Sequence, residues 1–230
     1  MKPAPQPWYQ QMAAVMAQRV LLKAVGTMLF ISVFFSAYFY LLKLPAQAVS
    51  VMPLTALDRL IGFEPLAMPL YLSLWVYVSL VPGLLVLRRE LFAYGLAMAG
   101  TCLTALIIFY LWPTAVPVAA IDWTQYPGVA VLKTMDASGN ACPSLHVATA
   151  FLSGLWLHRL LPGFGAPLWL HRLNGLWCVG IVYGTLATRQ HVVLDVAAGL
   201  LLGGLAGALS LYRGQPAPRS ADAPQQPRIC

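Results

Sequence analysis

The chain has 230 residues, of which 60% are hydrophobic and only 9% are charged, and its mean hydropathy is +0.73. This composition excludes an ordinary soluble domain and is typical of a membrane protein that crosses the bilayer several times. The net charge of +7 is distributed as membrane topology requires, so we expect no nucleic-acid partner.

Apolar segments long enough to cross a bilayer recur along the chain. A spanning helix needs roughly 20 predominantly apolar residues. We therefore predict an all-α fold, a polytopic bundle of about six transmembrane helices within residues 20–213. The proline-containing ends, residues 1–19 and 214–230, are predicted to be disordered and cytoplasmic. The predicted spans are residues 20–44, 69–87, 91–112, 144–161, 173–186 and 192–212.

The positions of the basic residues predict the orientation. Of the fourteen Lys and Arg residues, ten lie in the two termini, the second-to-third link and the fourth-to-fifth link. The positive-inside rule then places these segments in the cytoplasm. We expect a multi-pass protein of a plasma membrane, such as a bacterial inner membrane, whose two long loops at residues 45–68 and 113–143 face outward.

Two further patterns predict an interfacial helix and a helix-packing surface. In the first long loop, the spacing of the leucines around Asp58 and Arg59 predicts a short amphipathic helix in the membrane interface. Glycines recur every four residues in the fifth and sixth spans, where small residues allow helices to approach closely. We interpret this stripe as a packing surface. Its members are Gly180, Gly184, Gly199, Gly203 and Gly207.

The second of two polar stretches, residues 188–195, begins the last span. Ionisable groups beside a span are costly and therefore indicate a functional site. If the helix starts at Val192, His191 and Asp195 share one face. The carboxylate could then accept the Nδ1–H of the histidine and leave Nε2 free as a nucleophile or base. Arg189, two residues earlier, suits binding of a phosphate.

The first polar stretch, residues 140–146, begins the fourth span. Pro143 suits the first helical turn because it lacks an N–H. The free amides of that turn favour an anion, and the Ser144 hydroxyl can add a donor. His146 could give a proton to a leaving oxygen. Each residue alone also has a structural explanation, such as bridging helices or starting one. The combination favours a catalytic phosphate site.

These residues resemble a known family. The sequence Pro143-Ser144-Leu145-His146 resembles the Pro-Ser-x-His motif of the type-2 phosphatidic acid phosphatase superfamily. His191-x-x-x-Asp195 resembles the end of its third motif. The two motifs also have the order and the separation by one pair of spans that the family has.

The resemblance implies a phosphohistidine mechanism without a metal or other cofactor. His191 would attack phosphorus with Asp195 orienting it, and His146 would protonate the leaving oxygen. Arg189, Ser144 and nearby backbone amides would hold the phosphate oxygens.

The chain departs from the family pattern at two places. The Lys and the Arg-Pro pair of the first motif are missing, and Lys133 is the only basic residue in the second long loop. Lys133 is therefore the candidate substitute as a phosphate ligand. The third motif usually has its arginine six residues before the histidine, where this chain has Thr185.

The same residues leave three functions open. The expected one is hydrolysis of a lipid phosphate at the outer leaflet, with a phospholipid substrate and membrane lipids as partners. Leu145 and the Thr-x-Gln-His turn resemble the branch of inositol phosphorylceramide synthases, which favours transfer of a phospho-headgroup between lipids as an alternative. A non-catalytic lipid-binding or lipid-transport protein is the alternative of another class. The identity of the lipid and the oligomeric state stay open.

Overall fold

The computed structural model describes residues 6–126 and 139–213. Within these ranges the chain is mainly helical, with only two short strands, which confirms the all-α fold class. The helices are α1 (Trp8–Met16), α2 (Val20–Lys43), α3 (Ala56–Leu60), α4 (Met68–Leu72), α5 (Leu74–Leu84), α6 (Arg88–Leu111), α7 (Leu145–Leu160), α8 (Leu168–Ala187) and α9 (Val193–Arg213). Two strands of two residues each are β1 (Ser50–Val51) and β2 (Thr114–Ala115), and the 3-10 turns are Pro65–Ala67, Trp123–Gln125 and Leu161–Phe164.

Four segments of the described chain are long and apolar enough to cross a membrane. They are Val20–Lys43, Pro65–Leu84, Arg88–Leu111 and Val193–Tyr212. The protein is therefore an integral membrane protein. Helix α7 has only 16 residues, and the first turns of α8 carry His171, Arg172 and Asn174. The count of six spans stays a prediction, since these two helices fall short in length or in apolarity.

Helix α7 lies at the centre of the bundle and packs against α5, α6, α8 and α9. Its contact with α9 runs along the predicted glycine stripe. A Cβ on Gly199 would lie 2.5 Å from the Ser144 carbonyl oxygen, and one on Gly203 would overlap the Ala148 carbonyl oxygen. Only glycine lets the two backbones approach this closely, which confirms that the stripe is a packing surface.

The N-terminal segment contains helix α1. Helix α1 packs on the bundle through Met12, and Trp8 makes an edge contact with Trp169 at 5.9 Å between ring centroids. The Lys23 Nζ donates hydrogen bonds to the carbonyl oxygens of Val15 at 3.1 Å and Gly83 at 2.6 Å. The prediction of disorder across residues 1–19 is therefore wrong for Trp8–Met16, because apolar contacts fix this helix. Residues 214–230 lie outside the described part of the chain.

The two long loops join at the end of the bundle that carries both motifs. Strands β1 and β2 pair in parallel, and Ala115 forms an antiparallel bridge with Gly139. Thr114 then holds the first motif directly. Its carbonyl oxygen accepts the N–H of Ala141 at 3.2 Å, and its Oγ1 accepts the N–H of Cys142 at 2.8 Å. The loop connections therefore fix the chain that leads into α7.

The predicted helix of the first long loop is α3. Thr55 and Asp58 form a reciprocal capping box at its start, an arrangement that satisfies two free amide groups. Leu57 and Leu60 are 47% and 81% exposed, whereas Asp58 is 3% exposed. The apolar side chains thus face outward, as an interfacial helix requires, and the carboxylate faces the protein.

Candidate active site

The first motif starts helix α7 with a serine cap. Ser144 is the N-cap residue, and its Oγ accepts the N–H of Val147 at 3.4 Å. Pro143 precedes the cap and follows Cys142 through a cis peptide bond. The prediction that Pro143 lies in the first helical turn is wrong by two positions, because the serine hydroxyl is the better cap for the free amides. The hydroxyl of Ser144 still carries its own hydrogen to donate.

In the second motif, the histidine precedes the helix instead of belonging to it. Helix α9 begins at Val193, and Asp195 in its first turn accepts the N–H of Val192 through Oδ2 at 3.0 Å. The Nδ1 of His191 lies 3.6 Å from the same oxygen, which is longer than a hydrogen bond. The side chains of His191 and Asp195 are close, as expected. They do not share a helix face, because His191 lies in the turn before α9 and Asp195 caps that turn.

A short backbone turn positions the residues of the second motif. Arg189 has a positive φ of 56°. The Thr185 carbonyl oxygen accepts the N–H groups of both Gln190 and His191, at 3.0 and 3.1 Å. Thr185 occupies the position of the family arginine, is fully buried, and here closes this turn through its backbone.

The two motifs are joined directly. The Ser144 N–H donates a hydrogen bond to the Asp195 carbonyl oxygen at 3.0 Å. This bond places the start of α7 against the start of α9, and the rings of His146 and His191 are 6.1 Å apart between centroids. Reacting atoms in a near-attack arrangement lie about 3–3.5 Å apart, so the 6.1 Å between the rings is a distance that one small bound group could bridge.

Aromatic rings hold His146 in place. Its ring stacks on Tyr71 of α4 at 4.3 Å with an interplanar angle of 17°. Trp75 of α5 makes an edge contact with it at 6.3 Å. Trp75 in turn touches Phe35 of α2 at 5.7 Å and is 43% exposed. The histidine therefore lies behind an aromatic wall at the outer surface of the bundle, and the sequence analysis did not foresee this wall.

Asp58 is a second feature that the sequence analysis missed. Its Oδ1 accepts the N–H of Val193 at 2.8 Å, and its carbonyl oxygen accepts from the Arg189 Nη1 at 2.9 Å. Its Oδ2 accepts from both the backbone N–H and the Oγ1 of Thr55 at 2.7 Å. The first long loop is thus bound to the second motif. A charged residue inside an amphipathic loop helix was the one available signal.

Unsatisfied polar atoms concentrate at this site. Within residues 6–126 and 139–213, the buried side-chain nitrogen and oxygen atoms without a hydrogen-bond partner are His146 Nε2, Gln190 Nε2 and Oε1, His191 Nδ1 and Asp195 Oδ1. Each such atom costs about 1–3 kcal/mol, so a native fold keeps few of them. Their grouping in the two motifs indicates a site that is completed by a polar ligand.

The cysteine of the first motif is an unreactive thiol. Burial, followed by the nearby Asp195 carboxylate, raises the pKa of the Cys142 thiol to about 11. The thiol is therefore neutral at pH 7, whereas the thiolate is the nucleophile. His191 is the better candidate nucleophile in this site.

The other predicted or possible ligands lie elsewhere. Lys133 falls outside the described residues. His158 and His171 contact each other at 5.3 Å between ring centroids, at the end of α7 and the start of α8 that lie away from the motifs. Among the described residues, no group of three His, Cys, Asp or Glu is placed to hold a metal ion.

Both motifs lie in a stretch of the chain that matches a known protein family. Residues 87–218 match the model of the PAP2 superfamily, which is more than half of the chain. The chain belongs to the PAP2 superfamily. Searches of the curated proteins and of the solved structures found no match.

Membership gives the general class of the protein. It is an integral membrane enzyme of the kind that dephosphorylates lipid phosphates or transfers their phosphoryl groups. The matched stretch includes both motifs, and therefore all the histidine, serine, arginine and aspartate candidates described above. It begins after α5, so Asp58, Tyr71 and Trp75 are features of this chain outside the family match.

Proposed function

We propose that this protein hydrolyses a lipid phosphate monoester at the outer leaflet through a phosphohistidine intermediate on His191. The observation that carries the proposal is the pair of neighbouring histidine rings, 6.1 Å apart between centroids. His191 has a carboxylate 3.6 Å from its Nδ1, and His146 lies in the first turn of α7, whose free amides attract an anion.

In the first step, the Nε2 of His191 attacks phosphorus and the bond between phosphorus and the lipid oxygen breaks. His146, protonated in the complex with the anionic substrate, gives its proton to that oxygen, so a neutral lipid alcohol leaves. Asp195 stabilises the positive charge that develops on the His191 ring. The 3.6 Å between His191 Nδ1 and Asp195 Oδ2 is longer than a hydrogen bond. Catalytic contacts often have this length before the substrate binds.

In the second step, neutral His146 takes a proton from a water molecule, and the water oxygen attacks phosphorus. The bond between phosphorus and His191 Nε2 breaks, so inorganic phosphate leaves and both histidines return to their starting states. The Arg189 guanidinium, the Ser144 hydroxyl and the first amides of α7 hold the phosphate oxygens in both steps. Lys133 is a further candidate for that role.

The position of the site suits a substrate that stays in the bilayer. Trp75 lies beside His146 and is 43% exposed on the outside of the bundle. The leucines of α3 are exposed at the same end, where an interfacial helix meets lipid headgroups. In the orientation that the positive-inside rule predicts, this end faces outward. The lipid tail then stays among the apolar helices while the phosphate reaches the histidines.

Transfer to a lipid alcohol is the second candidate function, and one residue favours it. Gln190 directly precedes His191 and is 2% exposed, with both amide atoms unpartnered. A side-chain amide donates and accepts at once, so it can bind the hydroxyl group of an acceptor. The phosphoryl group on His191 would then pass to that hydroxyl instead of to water.

Product analysis tests both functions together. Purified full-length protein in detergent is given a panel of phosphorylated lipids, with and without a lipid alcohol, and free phosphate and new phospholipids are followed together. Free phosphate that is lost in His191→Ala supports the phosphatase. A new phospholipid without free phosphate supports the transferase. Movement of labelled lipid in vesicles with neither product would instead support a transport protein, and would overturn the proposal.

A further inference from the structure

We propose that Asp58 is a positioning residue for the phosphate-binding groups of the second motif, a role that rests on the proposed function. Asp58 lies in the first outer loop, 131 positions before Arg189 and outside the family match. It nevertheless holds two parts of the motif at once, through different atoms.

The carboxylate of Asp58 completes the start of α9. The N-cap residue of this helix is Val192, whose side chain has no oxygen to accept the free amides. Two carboxylates replace the missing cap. Asp195 Oδ2 accepts the N–H of Val192 at 3.0 Å, and Asp58 Oδ1 accepts the N–H of Val193 at 2.8 Å. Because Asp58 takes part of this capping, its loss would alter the helix turn that carries Asp195.

The backbone of Asp58 fixes the arginine. The Nη1 of Arg189 donates to the Asp58 carbonyl oxygen at 2.9 Å. A guanidinium is planar, so fixing one nitrogen also orients the plane of the others. The family position for the arginine is occupied by Thr185 in this chain. A different attachment must therefore orient Arg189, and the loop supplies it.

The loop itself is held rigid by the same residue. Asp58 Oδ2 accepts from the N–H and the Oγ1 of Thr55, both at 2.7 Å. Asp58 is 3% exposed, so these bonds are shielded from water and are worth more than surface bonds. The carbonyl that binds Arg189 is thus set by a capping box and by the contact with α9. Functional groups need such a supporting shell to keep their geometry.

The test measures phosphate binding together with turnover in the full-length protein. The variants are Asp58→Ala, Arg189→Ala and the double variant, and the probe is inorganic phosphate as a competitive inhibitor. We expect Asp58→Ala to weaken phosphate inhibition and to raise KM by roughly ten- to hundredfold, the range for groups that orient a functional side chain. In the Arg189→Ala background the same change should alter inhibition by less than about threefold, because residues acting through one contact are not additive.

Asp122→Ala is the matched control. Asp122 also caps a short turn in an outer loop, and it accepts from Thr124 and Gln125. These hydrogen bonds, with Thr124 first, hold the pKa of Asp122 below its ordinary value, but none of them reaches a motif residue. We expect its KM and phosphate inhibition to match those of the wild type.

A purely structural role for Asp58 gives a different result. It would lower the folded fraction and kcat, leave phosphate inhibition unchanged, and have the same effect with or without Arg189, and this would overturn the proposal. If Asp58→Ala does not fold, Asp58→Asn is measured in both backgrounds, since it keeps an oxygen for the Val193 N–H, and additive effects again overturn it. A wild-type protein without phosphatase or transferase activity would instead contradict the proposed function itself.

Discussion

The backbone N–H of Ser144 donates a hydrogen bond to the backbone carbonyl of Asp195, at 3.0 Å. This single bond joins two motifs that are separated by a complete pair of helices. It is possible only because Gly199, one turn further along α9, has no Cβ to meet the Ser144 carbonyl. The glycine stripe and the histidine pair are therefore parts of one arrangement, in which close helix packing sets the distance between His146 and His191.

Asp195→Asn should separate catalysis from folding. The asparagine oxygen can still accept the Val192 N–H, so the start of α9 should survive. The loss of charge removes the stabilisation of the developing imidazolium, and kcat should fall by about 10²- to 10⁴-fold. The measurement is kcat on the best lipid of the panel together with the melting temperature. A variant with kcat within threefold of the wild type would remove Asp195 from the mechanism.

The loss of kcat in His146→Ala should depend on the leaving group of the substrate. With a lipid phosphate we expect kcat to fall by about 10²- to 10⁴-fold, because the alkoxide leaves without a proton. With p-nitrophenyl phosphate the loss should be much smaller, since nitrophenolate leaves unprotonated. The two substrates are compared under the same detergent conditions.

A histidine outside the site provides the control for that comparison. His171 contacts the ring of His158 at the end of the bundle away from the motifs, so His171→Ala should leave both substrates unaffected. An equal loss for both substrates in His146→Ala would show that His146 binds or orients the phosphate and does not protonate the leaving oxygen.

Gly203→Ala should weaken the contact between α7 and α9. The added methyl group would overlap the Ala148 carbonyl oxygen, and forcing extra atoms into a packed contact costs about 1–3 kcal/mol. Gly100→Ala in α6 is the control, because a Cβ there meets nothing within 4 Å. We expect a lower melting temperature and lower activity only for Gly203→Ala. Equal stability of the two variants would contradict the close packing.

Cys142→Ala should retain activity. Burial holds the pKa of this thiol at about 11, so below that pH the group is a neutral thiol that neither attacks phosphorus nor reacts readily with maleimide. We expect kcat within about threefold of the wild type, and no loss of wild-type activity after maleimide treatment. Abolished turnover in a folded Cys142→Ala protein would make the thiol a rival nucleophile.

The features that depend on the local spacing of residues could be predicted from the sequence. The apolar segments predicted membrane helices, the four-residue glycine steps predicted close helix packing without indicating the partner helix, and the leucines around Asp58 predicted α3. The closeness of His191 and Asp195 was also predicted, although the helix begins two residues after the histidine. The capping hydrogen bonds determine where α9 begins, and the pattern of apolar residues does not show them.

The remaining features depend on contacts between distant parts of the chain. The stacking of Tyr71 on His146 joins residues 75 positions apart, and the bond from Val193 to Asp58 joins residues 135 positions apart. Tyr71 appears in the sequence as an ordinary apolar position of a span, and Asp58 as a polar position of a loop. Neither position has a local pattern that indicates its partner, so only the fold shows them beside the motifs.

The central claim is that His191 carries the phosphoryl group, and trapping that intermediate tests it most directly. Wild-type protein is mixed with a lipid labelled at its phosphate, quenched in alkali during turnover to preserve phosphohistidine, and digested for mass spectrometry. The account predicts label on the peptide that contains His191, and neither label nor turnover in His191→Ala. Turnover by His191→Ala, or steady turnover by the wild type with no label on that peptide, would contradict it.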